Sequence, residues 1–174
     1  SVQLLQDMVG TMPFELTVIA QENTGNIGHN FNNALRQAKG ELITFISLDD
    51  VFNPSIVLSE IKAMNANPKL AFIASSRAIS IDDDGFVNTN FQQLPTYGMA
   101  KPTVRDLLEF EYTSFGPFYI QGSVFRKKAI DAIGGFDEDM TGDDIVLRTK
   151  LFRWMLENPH WDFEIGRASC RERV

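Results

Sequence analysis

The sequence predicts an α/β fold built on a mostly parallel sheet with helices on both faces. Three observations carry this expectation. Strand-length apolar runs at residues 42–48 and 70–74 alternate with helical patterns at 29–39 and from Pro54 onward. The first run is apolar over about seven positions, the habit of a strand buried on both faces of a parallel sheet. It ends abruptly in two adjacent carboxylates, Asp49 and Asp50, where open parallel sheets gather their ligands.

Each element follows from local chemistry. Residues 1–12 place Val2, Leu5, Met8 and Val9 at helical spacing, closed by Gly10 and Pro13. Residues 15–20 read as a short β-branched strand. A loop of Asn, Thr and Gly follows, then a helix over 29–39 with Phe31, Ala34, Leu35 and Ala38 on one stripe and Gly40 as its cap. After the 42–48 strand, Asn53 as N-cap and Pro54 as first helical residue open a helix. Its expected buried face is Val57, Leu58, Ile61 and Met64. Residues 70–74 form the next strand, implying parallel strands with right-handed crossovers. Beyond Ser75 the pattern loosens. A hairpin is expected around Asp84-Gly85, a helix over 104–111, and a strand over 118–125 that Gly122 interrupts. A short helix over 127–133 and a longer one over 143–156 complete the chain, the latter with Leu147, Leu151, Trp154 and Met155 inward.

Composition narrows the function. At 174 residues the chain makes about one domain. A net charge of -7 argues against a nucleic-acid binder, and no apolar run approaches the length that spans a bilayer. The single cysteine, Cys170, rules out an internal disulfide framework and fits a reducing compartment.

From the residues alone, Asp49 and Asp50 form a candidate Mg²⁺ or Mn²⁺ site that would in turn hold phosphates. The alternative is a solvated turn, with Asp50 as a cap. Asp143 and Asp144 open a helix, where either acid gains from the helix dipole; they are candidate catalytic acids or plain caps. Asn32 and its neighbouring loop glycines serve ligand contact or loop geometry and capping. Gly122 and Ser123 serve ligand contact or a strand bend.

Four segments together resemble the family 2 glycosyltransferases and their GT-A nucleotide-sugar fold. They are Glu22-Asn-Thr-Gly-Asn-Ile-Gly28 with Asn32 and Ala38-Lys-Gly-Glu41; Phe45-Ile-Ser-Leu-Asp-Asp-Val-Phe-Asn-Pro54; Gln121-Gly-Ser-Val-Phe-Arg126 with Gly134-Gly-Phe-Asp-Glu138; and Gly142-Asp-Asp-Ile-Val-Leu147. Their order and spacing cover roughly residues 15–154. The resemblance implies an inverting, metal-dependent transfer from a nucleotide-diphospho-sugar donor to a glycan or lipid-linked acceptor, as in surface polysaccharide synthesis. It implies Asp144 as general base with Asp143 beside it, Asp49 on the metal, and Ser47, Asn32, Gly122 and Ser123 around the donor. Two departures stand out. Ser47 replaces the first acid of the family's Asp-x-Asp, and Phe31 replaces an arginine common before the asparagine of the preceding helix.

By the same resemblance residues 1–12 are the helix after the family's second strand, so the N-terminal strands of the fold are expected to be missing. The segment from Glu164 to Val174 is compatible, codon by codon, with a sequencing adapter translated in frame. The expected division is therefore a partial GT-A domain over 1–163 and a non-native tail over 164–174. The expected location is the cytoplasm, with peripheral attachment at the inner face of the plasma membrane through regions beyond this chain. Two alternatives remain open: a nucleotidyltransferase, and a non-catalytic sugar-binding or interaction module derived from the fold.

Overall fold

The computed structural model describes residues 2–166 apart from 23, 48, 49, 52, 79, 80, 82–86, 88–91, 115 and 141; residues 78, 92 and 143 are described by backbone alone. In chain order the elements are α1 (Val2–Met8), α2 (Ile27–Gln37), β1 (Leu42–Thr44), α3 (Pro54–Ala66), β2 (Leu70–Ser75), β3 (Arg77–Ala78), β4 (Gln92–Gln93), α4 (Val104–Thr113), β5 (Val124–Arg126), α5 (Lys127–Ala132), α6 (Asp143–Glu157) and β6 (Asp162–Gly166).

The main sheet has the order β1-β5-β2-β6, and β3 pairs with β4 in a separate two-stranded ribbon. Strands β1, β2 and β6 share one direction, and β5 runs against them between β1 and β2. The register sets Ile43 and Phe72 on either side of Phe125. A further parallel bridge joins Phe45 to Gln121.

Apolar layers cover both faces. On one, α3 lays Met64, with Val57 and Ile61, against Leu70, Ile73 and Val124. On the other, α2, α4, α5 and α6 close over a larger core rich in phenylalanine. Phe72 stacks on Phe163 at 5.3 Å and lies 4.9 Å from Phe118. Such aromatic pairs stabilise by about 1 kcal/mol beyond the area they bury.

Helix ends follow their caps. The Asn53 side-chain Oδ1 accepts from Ser55 N and Ile56 N, with Pro54 at the first helical position. Thr103 and Asp106 form a reciprocal capping box at the start of α4. Arg126 closes the far end of α3, donating to the carbonyls of Met64, Asn67 and Leu70.

Several sequence expectations are corrected. Residues 15–20 form no strand, because β-branched residues need a ladder partner and none pairs with them among the described residues. The run expected over 42–48 is a three-residue strand with one bridge beyond it. It lies at the sheet edge, so Leu42 and Ile43 are only half-buried. Helix α1 buries no residue. On α3, Leu58 faces solvent and Glu60 is buried instead. At 100° per residue, positions 57, 60, 61 and 64 share a face, and 58 lies off it. The Asp84-Gly85 turn lies outside the described residues, although Ile81 and Val87 on its flanks pair antiparallel. No helix among the described residues is long and apolar enough to cross a membrane.

Glu60 is 7 % exposed, and its Oε2 has no hydrogen-bond partner. Burial pushes its carboxyl from the usual 4.5 up to about 7. The raised value makes the unfolded chain ionise first, so stability is full below pH 4.5 and falls as pH rises towards 7. Urea unfolding across this range should show Glu60→Gln gaining on the natural chain by up to about 3 kcal/mol at pH 8. The two should converge near pH 4.

Candidate active site

The sheet's topology decides which residues meet. Ser47 follows the carboxyl end of β1, while Gln121-Gly122-Ser123 precedes the amino end of β5. The strands are antiparallel, so these ends coincide, and the Phe45–Gln121 bridge ties them. Helix α6 leads through a short turn into β6, whose Asp162 pairs with the amino-terminal residue of β2, Leu70. Its own amino end, Asp143-Asp144, therefore starts from the opposite side, at the carboxyl edge. The same edge thus receives Ser47, Asp50, Gly122, Ser123, Asp143 and Asp144.

Within that edge the local chemistry differs from residue to residue. Beyond β1 the chain turns tightly, with Asp50 N donating to Ser47 O at 3.2 Å. This leaves Asp50 exposed and Ser47 half-buried. Asp49 lies outside the described residues. Gly122 has a φ of +75°, a conformation that favours glycine, and an added Cβ there would meet no atom within 4 Å. Glycine is therefore required by the bend, and the space above it is open. Ser123 is buried, and its Oγ donates to Tyr119 O at 2.7 Å. At the head of α6, the cap residue Gly142 adopts a left-handed conformation and itself offers no side-chain bond. Arg148 Nη1 lies 3.3 Å from Asp144 Oδ2.

Asn32 is a buried residue of α2 that faces the Gly134-to-Glu138 segment. Its Nδ2 donates to Phe136 O at 2.9 Å and Glu138 Oε1 at 2.8 Å, and its Oδ1 accepts from Phe136 N at 3.0 Å. His29 adds a 2.7 Å contact to Glu138 Oε2, and Asn26 Nδ2 donates to Glu138 O. Hydrogen bonds from Asn32 and then His29 hold the Glu138 carboxyl below its usual range. From the other side, Lys150 Nζ donates to Gly135 O at 2.9 Å and to Asp137. The Gly134-to-Glu138 segment is thus pinned between α2 and α6. A groove of about 440 Å³ runs along this seam, with Arg36, Lys127, Asp131 and Glu138 on its walls. Its charges are mutually paired, Lys127 with Asp131 and Arg36 with Glu138.

Phe31 takes part in packing. It stacks on Phe136 at 4.9 Å and meets Phe45 edge-on at 5.3 Å. The aromatic ring that stands where an arginine was expected therefore supports the end of β1. Sequence reasoning missed the buried pair of Arg148 with Glu111. The only signal was an arginine one turn from an inward-facing leucine.

Among the described residues, a mixed four-stranded sheet flanked by six helices is consistent with the GT-A fold. The chain belongs to glycosyl transferase family 2, whose model matches residues 1–134. It is therefore a glycosyltransferase, and membership implies a nucleotide-sugar donor and a glycan acceptor. The matched span ends before Asp143, so the helix that carries Asp144 lies beyond it. No curated protein matches the chain.

The seam makes a sharp prediction. Gly135 has a φ of +69°, and an added Cβ would lie 2.6 Å from Asn32 Oδ1. Gly134 has a φ of +76° with nothing within 4 Å. Gly134→Ala should cost about 1 kcal/mol of backbone strain. Gly135→Ala should cost about 2–4 kcal/mol, because it also breaks buried hydrogen bonds. Thermal unfolding of the two variants side by side reads the difference.

Proposed function

We propose that the chain moves a sugar from a nucleotide-diphospho-sugar to an acceptor hydroxyl in one displacement that inverts the anomeric centre. The observation that carries this reading is the shared carboxyl edge. A hard oxygen donor set follows β1, an open glycine bend faces it from β5, and a pair of acids starts α6. In this reading Asp144 takes the proton from the acceptor oxygen as that oxygen attacks. Asp143 adds negative charge beside it, at the helix end where the dipole favours acids. Gly122 leaves room for the donor, and Ser123 fixes that bend from within. Asn32 shapes the donor wall by pinning the segment at Phe136, and Ser47 offers a hydroxyl or carbonyl oxygen without charge.

Asp49 and Asp50, with Ser47, are hard oxygen donors of the kind Mg²⁺ or Mn²⁺ prefers. Among the described residues no three of His, Cys, Asp or Glu converge as a cage. Mg²⁺ held through one or two carboxylates and substrate phosphates does not need one. When bound, the cation supplies charge neutralisation for the departing nucleoside diphosphate. The acceptor class that fits the family reading is a growing surface polysaccharide or its lipid-linked precursor. The location that fits is the cytoplasm, at the inner face of the membrane.

Nucleoside diphosphate release from a panel of nucleotide-sugars, with and without Mn²⁺, tests this proposal. Asp144→Asn should lower transfer by about 10²- to 10⁴-fold with donor binding retained. Asp49→Asn should weaken metal-dependent donor binding itself. Undiminished transfer by both variants would overturn the assigned roles. Donor binding without turnover in the natural chain would favour a sugar-binding module.

A further inference from the structure

Beyond the residues of the edge itself, the described core holds a buried ion pair, Arg148 with Glu111, that reaches towards it. Arg148 stands one helical turn after Asp144 on α6, so the two side chains share a face. The guanidinium is 2 % exposed, and the Glu111 side chain from α4 is fully buried. Arg148 Nε donates to Glu111 Oε1 at 2.6 Å and Nη2 to Oε2 at 3.1 Å, a two-pronged contact. That fixes one edge of the guanidinium. The remaining Nη1 reaches Asp144 Oδ2 at 3.3 Å, and Asp144 retains 24 % exposure.

The surroundings hold the guanidinium in this pose. The Phe118 ring lies 5.8 Å from its central carbon. Gly116 has a φ of +88°, and a Cβ added there would lie 2.3 Å from Nη2. Burial pushes the Glu111 carboxyl above its ordinary value, against the pull of the Arg148 guanidinium. Two helices can be fastened by leucines at lower cost than by a buried ion pair. What leucines cannot do is present a fixed positive charge to a neighbouring carboxylate.

We propose that Glu111 and Arg148 form a positioning device for Asp144: Glu111 locks the guanidinium, and the guanidinium aims the Asp144 carboxylate and keeps it ionised. The inference rests on the reading of Asp144 as general base. Arg148 touches neither donor nor acceptor and acts only through Asp144. Among the described residues, the carboxylates paired with the guanidinium are Glu111 from α4 and Asp144 from its own helix.

The test separates positioning from simple fastening. Arg148→Met and Glu111→Gln break the same buried pair, so both should lower the melting temperature. Their effects on Asp144 should have opposite signs. Removing the positive charge should raise the pH at which Asp144 titrates, by about one unit. Removing the Glu111 charge while keeping Arg148 should lower it, by about half a unit. Carbon-detected NMR of the carboxyl groups in the 174-residue chain reads this without turnover, with the Asp144 signal assigned by its loss in Asp144→Asn. Arg148→Lys keeps the charge, and Glu111→Gln is nearly isosteric; these two hold the test open should Arg148→Met fail to fold. In transfer assays Glu111→Gln and Arg148→Lys should lower kcat about tenfold with the donor KM within about twofold. Shifts of one sign, or none in folded variants, would overturn the proposal and leave Asp144 as base untouched. Full turnover by Asp144→Asn would overturn the base reading, while the titrations would still report whether the pair tunes Asp144.

Discussion

The insertion of β5 between β1 and β2 is the constraint on which the rest depends. Phe125 sits opposite Ile43 on one side and Phe72 on the other. It lies 5.9 Å from Phe45 and 6.4 Å from Phe118. A slip of one residue would exchange Phe125 with Val124 across the sheet and send a large ring to the α3 face. The two apolar layers differ in depth, so this register is strongly specified. Because it is fixed, Gly122 and Ser123 have one place to be, beside the turn that follows β1. The geometry of the candidate edge is thus a consequence of core packing several residues away.

Much of this was legible in the sequence where chemistry is local. Asn53-Pro54 marked the start of α3, and the helix starting at Val104 carries the Thr103–Asp106 box that its residues imply. The apolar period of α6 located Leu147, Leu151 and Met155 correctly in the core. The failures came where the answer is non-local. The residues 15–20 have strand composition, but composition does not supply a partner. Periodicity treated Leu58 as buried because it is apolar, whereas the helix angle selects Glu60. The antiparallel direction of β5 left no trace in its three residues. Asn32 could be singled out by type, but its partners lie 104 and 106 residues away.

Two buried carboxylates show how differently the same group is used. Glu60 enters the α3 layer with one oxygen unpartnered, and among the described residues no charge offsets its burial. The chain accommodates it by holding the proton. Glu111 meets an arginine whose guanidinium is itself boxed by Phe118 and the bare Gly116 backbone. Its charge is compensated in place. The first arrangement weakens the fold as pH rises. The second concentrates fixed charge one turn from Asp144, at the edge where α6 begins.

The two residues expected to depart from the family pattern follow the same division between core and edge. Phe31, where the resemblance led to an arginine being expected, is turned to packing: its ring stacks on Phe136, whose backbone is held by Asn32. The same three residues therefore brace α2, the end of β1 and the Gly134-to-Glu138 segment as one unit. An arginine at position 31 would need a partner in this aromatic layer or would have to leave it, loosening the support beneath β1. Ser47 lies just beyond that support, half-buried in the turn whose carbonyl it shares with Asp50 N. A carboxylate there would stand close to Asp49 in sequence and to the exposed Asp50, adding like charge to a tight turn. The uncharged hydroxyl avoids adding that charge beside the exposed Asp50.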